Sequence, residues 1–164
     1  AFADYIRPGA LAAKTKIAGA VKAFARGGGK VLGIANGFQI LCEIGLLPGV
    51  LLQNEDVRFK SVSTQVRYEG GENFLFGKLE KESCIPVPFA AKFGAFYADK
   101  RTIQDIKEQG LILLRYVDQF ATVDEENPFV GSLSAIAGLR NAKGNVLGVM
   151  PRIDRIVELP GVSI

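Results

Sequence analysis

A short glycine-flanked segment stands where a strand is predicted to turn into a helix. Residues 33–39 read Gly-Ile-Ala-Asn-Gly-Phe-Gln. Small residues around one central position are typical of a nucleophile elbow, the sharp strand-to-helix turn that exposes a reactive side chain. The free N–H groups in the first turn of the following helix would point toward the central position and stabilise negative charge that forms there during a reaction. The central residue is Ala35, whose methyl group has no nucleophilic atom. The alternative interpretation is an ordinary tight turn between a strand and a helix.

The side chains that usually activate a nucleophile are also missing. The sequence contains no histidine, which excludes Ser-His-Asp and Cys-His mechanisms and His-bearing metal sites for this chain acting alone. Cys42 and Cys84 lack C-x-x-C spacing, so we predict two reduced, buried and inert thiols. Cys42 lies about 10 Å beyond Ala35 along a helix, too far to replace a thiol at the turn. No metal and no cofactor are predicted.

Elements of an α/β domain surround the turn. Pro8 and the glycines at 27–29 suit the two ends of one helix over residues 8–25. A fully buried strand over 30–34 and a helix over 36–44 follow, and this alternation indicates layered α/β architecture. Further elements are predicted from alternation and apolar runs. They are strands over 58–68, 85–89, 94–98 and 111–117, a helix over 102–109, and a hairpin of 133–140 with 145–149 around 141–144.

The longer sequence around the turn is similar to class I glutamine amidotransferases. The similarity runs through residues 33–41, Glu43, residues 45–49, Leu51, Leu52, Asn54, Arg58 and Phe59, and continues in residues 3–10, 113–117, 131–133, 136–138 and 144–151. The resemblance implies a flavodoxin-like three-layer α/β sandwich with a mainly parallel sheet, in one domain over residues 1–164. Within the family, the chain looks most like the small glutaminase subunits that supply ammonia to a synthetase subunit in purine biosynthesis.

The resemblance implies a Cys-His-Glu triad that hydrolyses glutamine through a thioester. The expected cysteine position holds Ala35, and the expected histidine and glutamate positions hold Arg152 and Asp154. A guanidinium stays protonated and cannot act as a base. We therefore predict that the chain is catalytically inactive. The positions expected to contact glutamine are Gly33, Asn36 and Gln39, with helix capping or packing as the alternative for Gln39.

Apolar residues replace polar family residues at several positions near the expected active-site mouth. The family's Pro-Ile-Ala-His segment is Pro-Phe-Ala-Ala at residues 88–91. Phe120 and Phe129 flank an acidic turn, where burial is difficult, so we predict that they form a contact surface. The residues assigned to this predicted interface are Phe2, Phe89, Phe93, Phe120, Phe129 and Val130.

The first residues depart from the family pattern as well. The chain begins at Ala1, and the family's first strands and oxyanion-hole loop do not precede it. We interpret the chain as a fragment, a processed chain or an edited chain. An open sheet lacking those strands exposes an edge. Another chain, an absent segment or an assembly would cover that edge, and the sequence leaves the three open.

Composition excludes further classes of function. The 164 residues are 48% hydrophobic with a net charge of +3, which favours a folded domain and gives no case for nucleic-acid binding. No apolar run reaches about 18 residues and no signal peptide is found, so we predict a cytoplasmic protein. We favour a self-assembling scaffold, engineered or repurposed from the amidotransferase fold and forming a homo-oligomer or designed assembly. The alternative is an inactive subunit that still binds glutamine and its synthetase partner.

Overall fold

The computed structural model describes residues 8–126 and 128–156. Within these ranges the chain forms four α-helices, eight strands and three short 3-10 turns. The helices are α1 (Pro8–Ala12), α2 (Lys16–Arg26), α3 (Asn36–Glu43) and α4 (Lys100–Glu108). The strands are β1 (Val31–Ile34), β2 (Val50–Leu52), β3 (Lys60–Tyr68), β4 (Cys84–Ala91), β5 (Ala95–Tyr97), β6 (Ile112–Val117), β7 (Ile136–Arg140) and β8 (Val146–Val149). The 3-10 turns are Phe129–Gly131, Leu133–Ala135 and Ile153–Arg155.

A six-stranded sheet, in the order β1-β8-β7-β6-β3-β4, forms the centre of the described structure. The predicted α/β class is confirmed, but the pairing differs from a mainly parallel sheet. In the described residues β1 and β8 pair in parallel, and the other four neighbouring pairs are antiparallel. The physical reason is visible in β7 and β8, because a connection of a few residues permits only antiparallel pairing. A separate two-stranded antiparallel sheet joins β2 and β5.

The single helix predicted over residues 8–25 is wrong, because the chain forms α1 and α2 there instead. Thr15 has extended backbone angles, φ −83° and ψ 155°, at the start of α2. Its Oγ1 accepts a hydrogen bond from the Ala18 amide at 3.3 Å and donates one to the Ala12 carbonyl at 2.7 Å. A threonine in this position ends one helix and caps the next. Apolar residues continue at helical spacing on both sides of Thr15, so the sequence pattern indicated one helix instead of two.

The strand predicted over residues 30–34 is confirmed, but its burial on both faces is not. Leu32 is 36% exposed, whereas Gly33 on the opposite face is buried beneath α3. Among the described strands, β8 pairs with β1 and none pairs on its other side. In the same part of the chain, no helix is long and apolar enough to cross a membrane.

Three of the six residues predicted to form an interface are instead buried in the core. Phe89, Phe93 and Val130 are only 1%, 7% and 4% exposed, so they are core residues rather than surface contacts. Phe129 is half-buried and packs against Phe89, with ring centroids 5.1 Å apart. The prediction failed because the acidic loop after β6 returns its apolar end onto β4, which sequence distance does not reveal. Phe120 is 76% exposed as predicted, and Phe2 lies outside the described residues.

Candidate active site

The turn between β1 and α3 has the backbone of an elbow. Ala35 adopts φ 52° and ψ −112°, a region that residues with a side chain rarely occupy. Its amide donates a hydrogen bond to the Val149 carbonyl at 2.8 Å, which fixes the turn against the end of β8. Helix α3 begins at the next residue, Asn36. The predicted strand, sharp turn and helix are therefore confirmed, with the half-buried methyl group of Ala35 at the turn.

Glycine at position 33 allows β1 and α3 to approach closely. A Cβ atom there would lie 2.6 Å from the backbone carbon of Gly37 and 2.6 Å from Leu41 Cδ1. The neighbouring strand repeats the arrangement, because a Cβ on Gly148 would overlap the Phe38 ring. Gly33 thus serves as a packing position in the described structure, and its predicted contact with glutamine stays a prediction.

Replacing Gly33 by alanine is expected to destabilise the protein by about 1–3 kcal/mol, because a backbone atom of α3 cannot move aside as a flexible side chain does. Gly37→Ala is the matched control. A Cβ at Gly37 meets nothing within 4 Å, so this change is expected to be neutral or stabilising by up to about 1 kcal/mol. Urea unfolding of both variants measures the difference. Equal losses would contradict the close approach.

The first turn of α3 concentrates positive charge at the elbow. The Phe38 amide donates to the Ala35 carbonyl at 3.0 Å, and the side chain of Ala35, the residue that precedes the helix, makes no capping hydrogen bond. The remaining N–H groups and the helix dipole favour negative charge beside position 35. A cysteine there would be activated as a thiolate, but the methyl group of Ala35 cannot ionise.

Gln39 ties α1 to α3. Its side chain is 1% exposed, and its Oε1 accepts a hydrogen bond from the Gly9 amide at 2.7 Å. Its Nε2 has no hydrogen-bond partner among the residues the structure describes. The contacts thus agree with the packing alternative for Gln39. Contact with a glutamine ligand remains a prediction for Gln39 and for Asn36, which is half-buried one residue after the elbow.

The strand order brings the second replaced segment to the same edge of the sheet. Val149 lies beside Ile34 in the parallel pair, so the residues after β8 follow at the level of Ala35. The Arg152 amide donates to the Pro88 carbonyl at 2.7 Å. Its guanidinium binds Asp154 through two bonds, Nε to Oδ1 at 2.9 Å and Nη2 to Oδ2 at 2.7 Å. The pair joins the two positions where the family resemblance implies a base and its orienting carboxylate.

Pairing with Arg152 lowers the pKa of Asp154, chiefly through the side-chain hydrogen bonds. The same bonds raise the pKa of Arg152, which keeps the guanidinium protonated. The two charges neutralise each other; the guanidinium has no proton-accepting atom, and the lowered pKa makes the Asp154 carboxylate a weak base.

Asp154→Asn is expected to reduce the loss of stability in acid. A carboxyl whose pKa is lowered by folding stabilises the protein above its unfolded pKa of about 3.9, and this contribution disappears as pH falls through the folded pKa. Because 39% of the Asp154 side chain is exposed, the contribution is expected to stay below about 1 kcal/mol. Urea unfolding between pH 6 and pH 2 measures it. Identical pH profiles for both proteins would contradict the ion pair.

Two buried polar residues had no role assigned from the sequence. Asn54 donates to the Arg58 and Ala91 carbonyls at 2.8 and 2.9 Å and accepts from the Gly94 amide. Ser132 is fully buried and links the Phe96 amide to the Ile136 carbonyl. Both hold the loops around the β2–β5 sheet in place. In the sequence, Ser132 stands among glycine and apolar residues, whereas Asn54 lies in a polar stretch, so only Ser132 carried a local signal of burial.

The two cysteines do not replace the missing thiol. Both are free, as predicted. Cys42 is buried, and burial raises the pKa of its thiol, so it stays protonated and inert. Cys84 is exposed, which corrects the prediction of a buried thiol. It begins β4, where alternate side chains face solvent.

Comparison with known proteins agrees with this geometry. The CobB/CobQ-like glutamine amidotransferase domain matches residues 3–162. The chain is 45% identical over 157 residues to phosphoribosylformylglycinamidine synthase subunit PurQ of Aquifex aeolicus, covering 96% of this chain and 69% of that protein. The PurQ subunit of Bradyrhizobium diazoefficiens is 42% identical over 157 residues, covering 96% of this chain and 67% of its own length.

A solved structure shows the same fold. A chain in the structure of PurLQS from Thermotoga maritima matches with a TM-score of 0.78 and 38% identity, covering 94% of this chain and 65% of that one. This chain thus spans about two thirds of the length of the relatives it matches. The similarity confirms the predicted flavodoxin-like α/β fold. Matched along almost all of its length and built around an elbow between β1 and α3, the chain belongs to the CobB/CobQ-like glutamine amidotransferase family.

Proposed function

We propose that this chain is a non-hydrolysing counterpart of the PurQ subunits. It binds the synthetase partner of a phosphoribosylformylglycinamidine synthase in the cytoplasm but does not release ammonia from glutamine. The observation that carries the proposal is Ala35, which keeps the elbow backbone at φ 52° and ψ −112° without a nucleophilic atom. The relatives' names supply the synthetase partner.

Hydrolysis of glutamine by a thioester route needs two groups that this site lacks. A thiolate must form a C–S bond to the amide carbon, and an acid must protonate the departing nitrogen as ammonia. Ala35 has no thiol, and Arg152 is a permanent cation held by Asp154. Loss of both nucleophile and base lowers such rates by on the order of 10⁶-fold. The backbone nevertheless keeps a strained turn, which supports retention of the scaffold for binding rather than for chemistry.

Self-association is the other function predicted from the sequence, and the burial of its residues weighs against it. Three of the six residues assigned to that interface are in the core, and Phe129 is half-buried. Phe120 alone presents a large exposed ring among those six in the described residues. One ring is a small part of the roughly 800 Å² that each partner of a stable interface buries. The inactive subunit is therefore the preferred proposal over an engineered or designed assembly.

Co-elution with a synthetase subunit tests the proposal. The purified chain is mixed with the synthetase subunit that partners PurQ in a relative, and the mixture is separated by size exclusion with light scattering. The proposal predicts a stable heteromeric complex and a small particle for the chain alone. A large particle formed by the chain alone, with no synthetase binding, would support the scaffold instead. Calorimetric titration with glutamine then shows whether the site still binds its ligand.

A further inference from the structure

One edge of the six-stranded sheet has no partner strand among the described residues. Strand β1 ends the strand order, and it bonds to β8 through alternate residues. The Val31 amide donates to the Asn145 carbonyl, just before β8, at 2.8 Å, and the Ala35 amide donates to the last residue of β8 at 2.8 Å. Because alternate residues of a parallel strand direct their backbone groups to opposite edges, Leu32 and Ile34 direct theirs away from β8. These outward N–H and C=O groups are a template for a further strand.

The two edges of this sheet differ in how they are protected against strand addition. The opposite edge strand, β4, contains Pro86 and Pro88, and a proline has no N–H to donate to an added strand. Natural edges often carry prolines or charged residues that block pairing. Strand β1 reads Val-Leu-Gly-Ile and contains neither. The β1 edge therefore stays open to an additional strand, whereas the β4 edge is blocked at two positions.

Helix α2 presents an apolar stripe beside the open edge. Ile17 is 74% exposed and Phe24 is 60% exposed, and two residues seven positions apart lie on the same face of a helix. The Phe24 ring lies against Gly29, where a Cβ atom would overlap it. Gly29 precedes β1 by two residues, and Leu32 within β1 is also exposed. Ile17, Phe24 and Leu32 thus define one surface with the strand edge, which we name the α2–β1 surface.

The charges around the α2–β1 surface have a single sign. Residues 8–42 contain five lysine or arginine residues and no carboxylate. Four of the five cations are exposed, and none forms an ion pair with another described residue. They are Lys14, Lys16, Lys22, Arg26 and Lys30. The surface therefore attracts a negatively charged partner and repels a second copy of itself, because like charges placed opposite each other are costly.

We propose that the α2–β1 surface binds an extended, acidic polypeptide segment that adds a strand to β1. The backbone of the segment bonds the outward groups of Leu32 and Ile34, its apolar side chains cover the stripe on α2, and its carboxylates pair with the surrounding cations. An anionic lipid surface matches the charge and the stripe, but it offers no alternating donors and acceptors to the strand edge. The proposal is independent of the proposed function, because it uses neither Ala35 nor Arg152.

Three ten-residue peptides with blocked ends test the ligand class on the unmodified chain. One alternates glutamate with valine, one alternates lysine with valine, and the third is the glutamate peptide with its central backbone nitrogens methylated. Amide NMR follows shifts of residues 16–34 and hydrogen exchange at Leu32 and Ile34. We expect saturable shifts and at least tenfold slower exchange with the glutamate peptide, and at least tenfold weaker binding of the other two. Equal affinity for the lysine or the methylated peptide, no saturable shift, or tighter binding to phosphatidylserine vesicles would overturn the proposal.

Two matched pairs of variants locate the binding surface. Phe24→Ser and Phe120→Ser each remove an exposed ring, but only the first lies on the α2–β1 surface. We expect Phe24→Ser to weaken binding of the glutamate peptide at least fivefold and Phe120→Ser to change it less than twofold. Arg26→Gln and Arg58→Gln each remove an exposed cation, with at least threefold weakening expected at Arg26 and less than twofold at Arg58. Equal effects within either pair would contradict the site.

Discussion

Ala35→Cys is expected to create the most reactive thiol in the chain. The introduced sulfur would lie at the elbow, beside the first turn of α3. Helix N-termini lower thiol pKa values well below the ordinary value of about 8.5 and so increase the thiolate fraction at neutral pH. We expect alkylation by iodoacetamide at pH 7 to be at least tenfold faster than at Cys84. Cys42 is expected not to react, because its thiol is buried and its pKa is raised.

Mass spectrometry of a Cys84→Ser background isolates the introduced thiol. Ala90→Cys in the same background is the matched control, because Ala90 is also half-buried but lies within strand β4. The elbow thiol should react faster and show the lower pKa in a pH series. Similar rates at positions 35 and 90 would show that the turn provides no activation, and the interpretation of the elbow as a former nucleophile site would fail.

Phe38→Ala is expected to cost about 3–5 kcal/mol of stability, the range for removing a buried phenylalanine. The Phe38 ring is 0% exposed and stacks on Phe96 with centroids 6.2 Å apart. It also fills the space that glycine leaves at position 148. Because total stabilities are about 5–15 kcal/mol, this single change is expected to bring the protein close to unfolding.

Phe120→Ala serves as the control for the loss of an aromatic ring. Phe120 is 76% exposed, so its removal is expected to change stability by no more than about 0.5 kcal/mol. Urea unfolding of both variants gives the comparison. A loss at Phe38 no greater than that at Phe120 would contradict the packing of α3 against the sheet and against β5.

The sequence predicted the elbow because its signal is local. Small residues at 33, 35 and 37 between an apolar strand and a helix define the turn by themselves, and the structure confirms it. The hairpin of β7 and β8 was predictable for the same reason. The capping bond of Thr15 was local too, but the apolar pattern that runs through it suggested one continuous helix.

Long-range contacts limited the rest of the prediction. Phe89 and Phe129 are separated by 40 positions in the sequence, and their ring contact depends on how the loop after β6 folds back. The predicted interface failed there, because an acidic neighbourhood in the sequence does not prevent burial of the aromatic residue next to it. The pairing of Arg152 with Asp154 spans two residues, yet it depends on side-chain directions that spacing alone does not specify.

Ammonia release from glutamine by the purified, unmodified chain tests the central claim most directly. A coupled glutamate dehydrogenase assay, run with and without the synthetase subunit, measures it at saturating glutamine. With a methyl group at position 35 and a paired guanidinium at position 152, release is predicted to equal that of a protein-free blank in both conditions. Release above the blank that scales with the concentration of this chain would contradict the account.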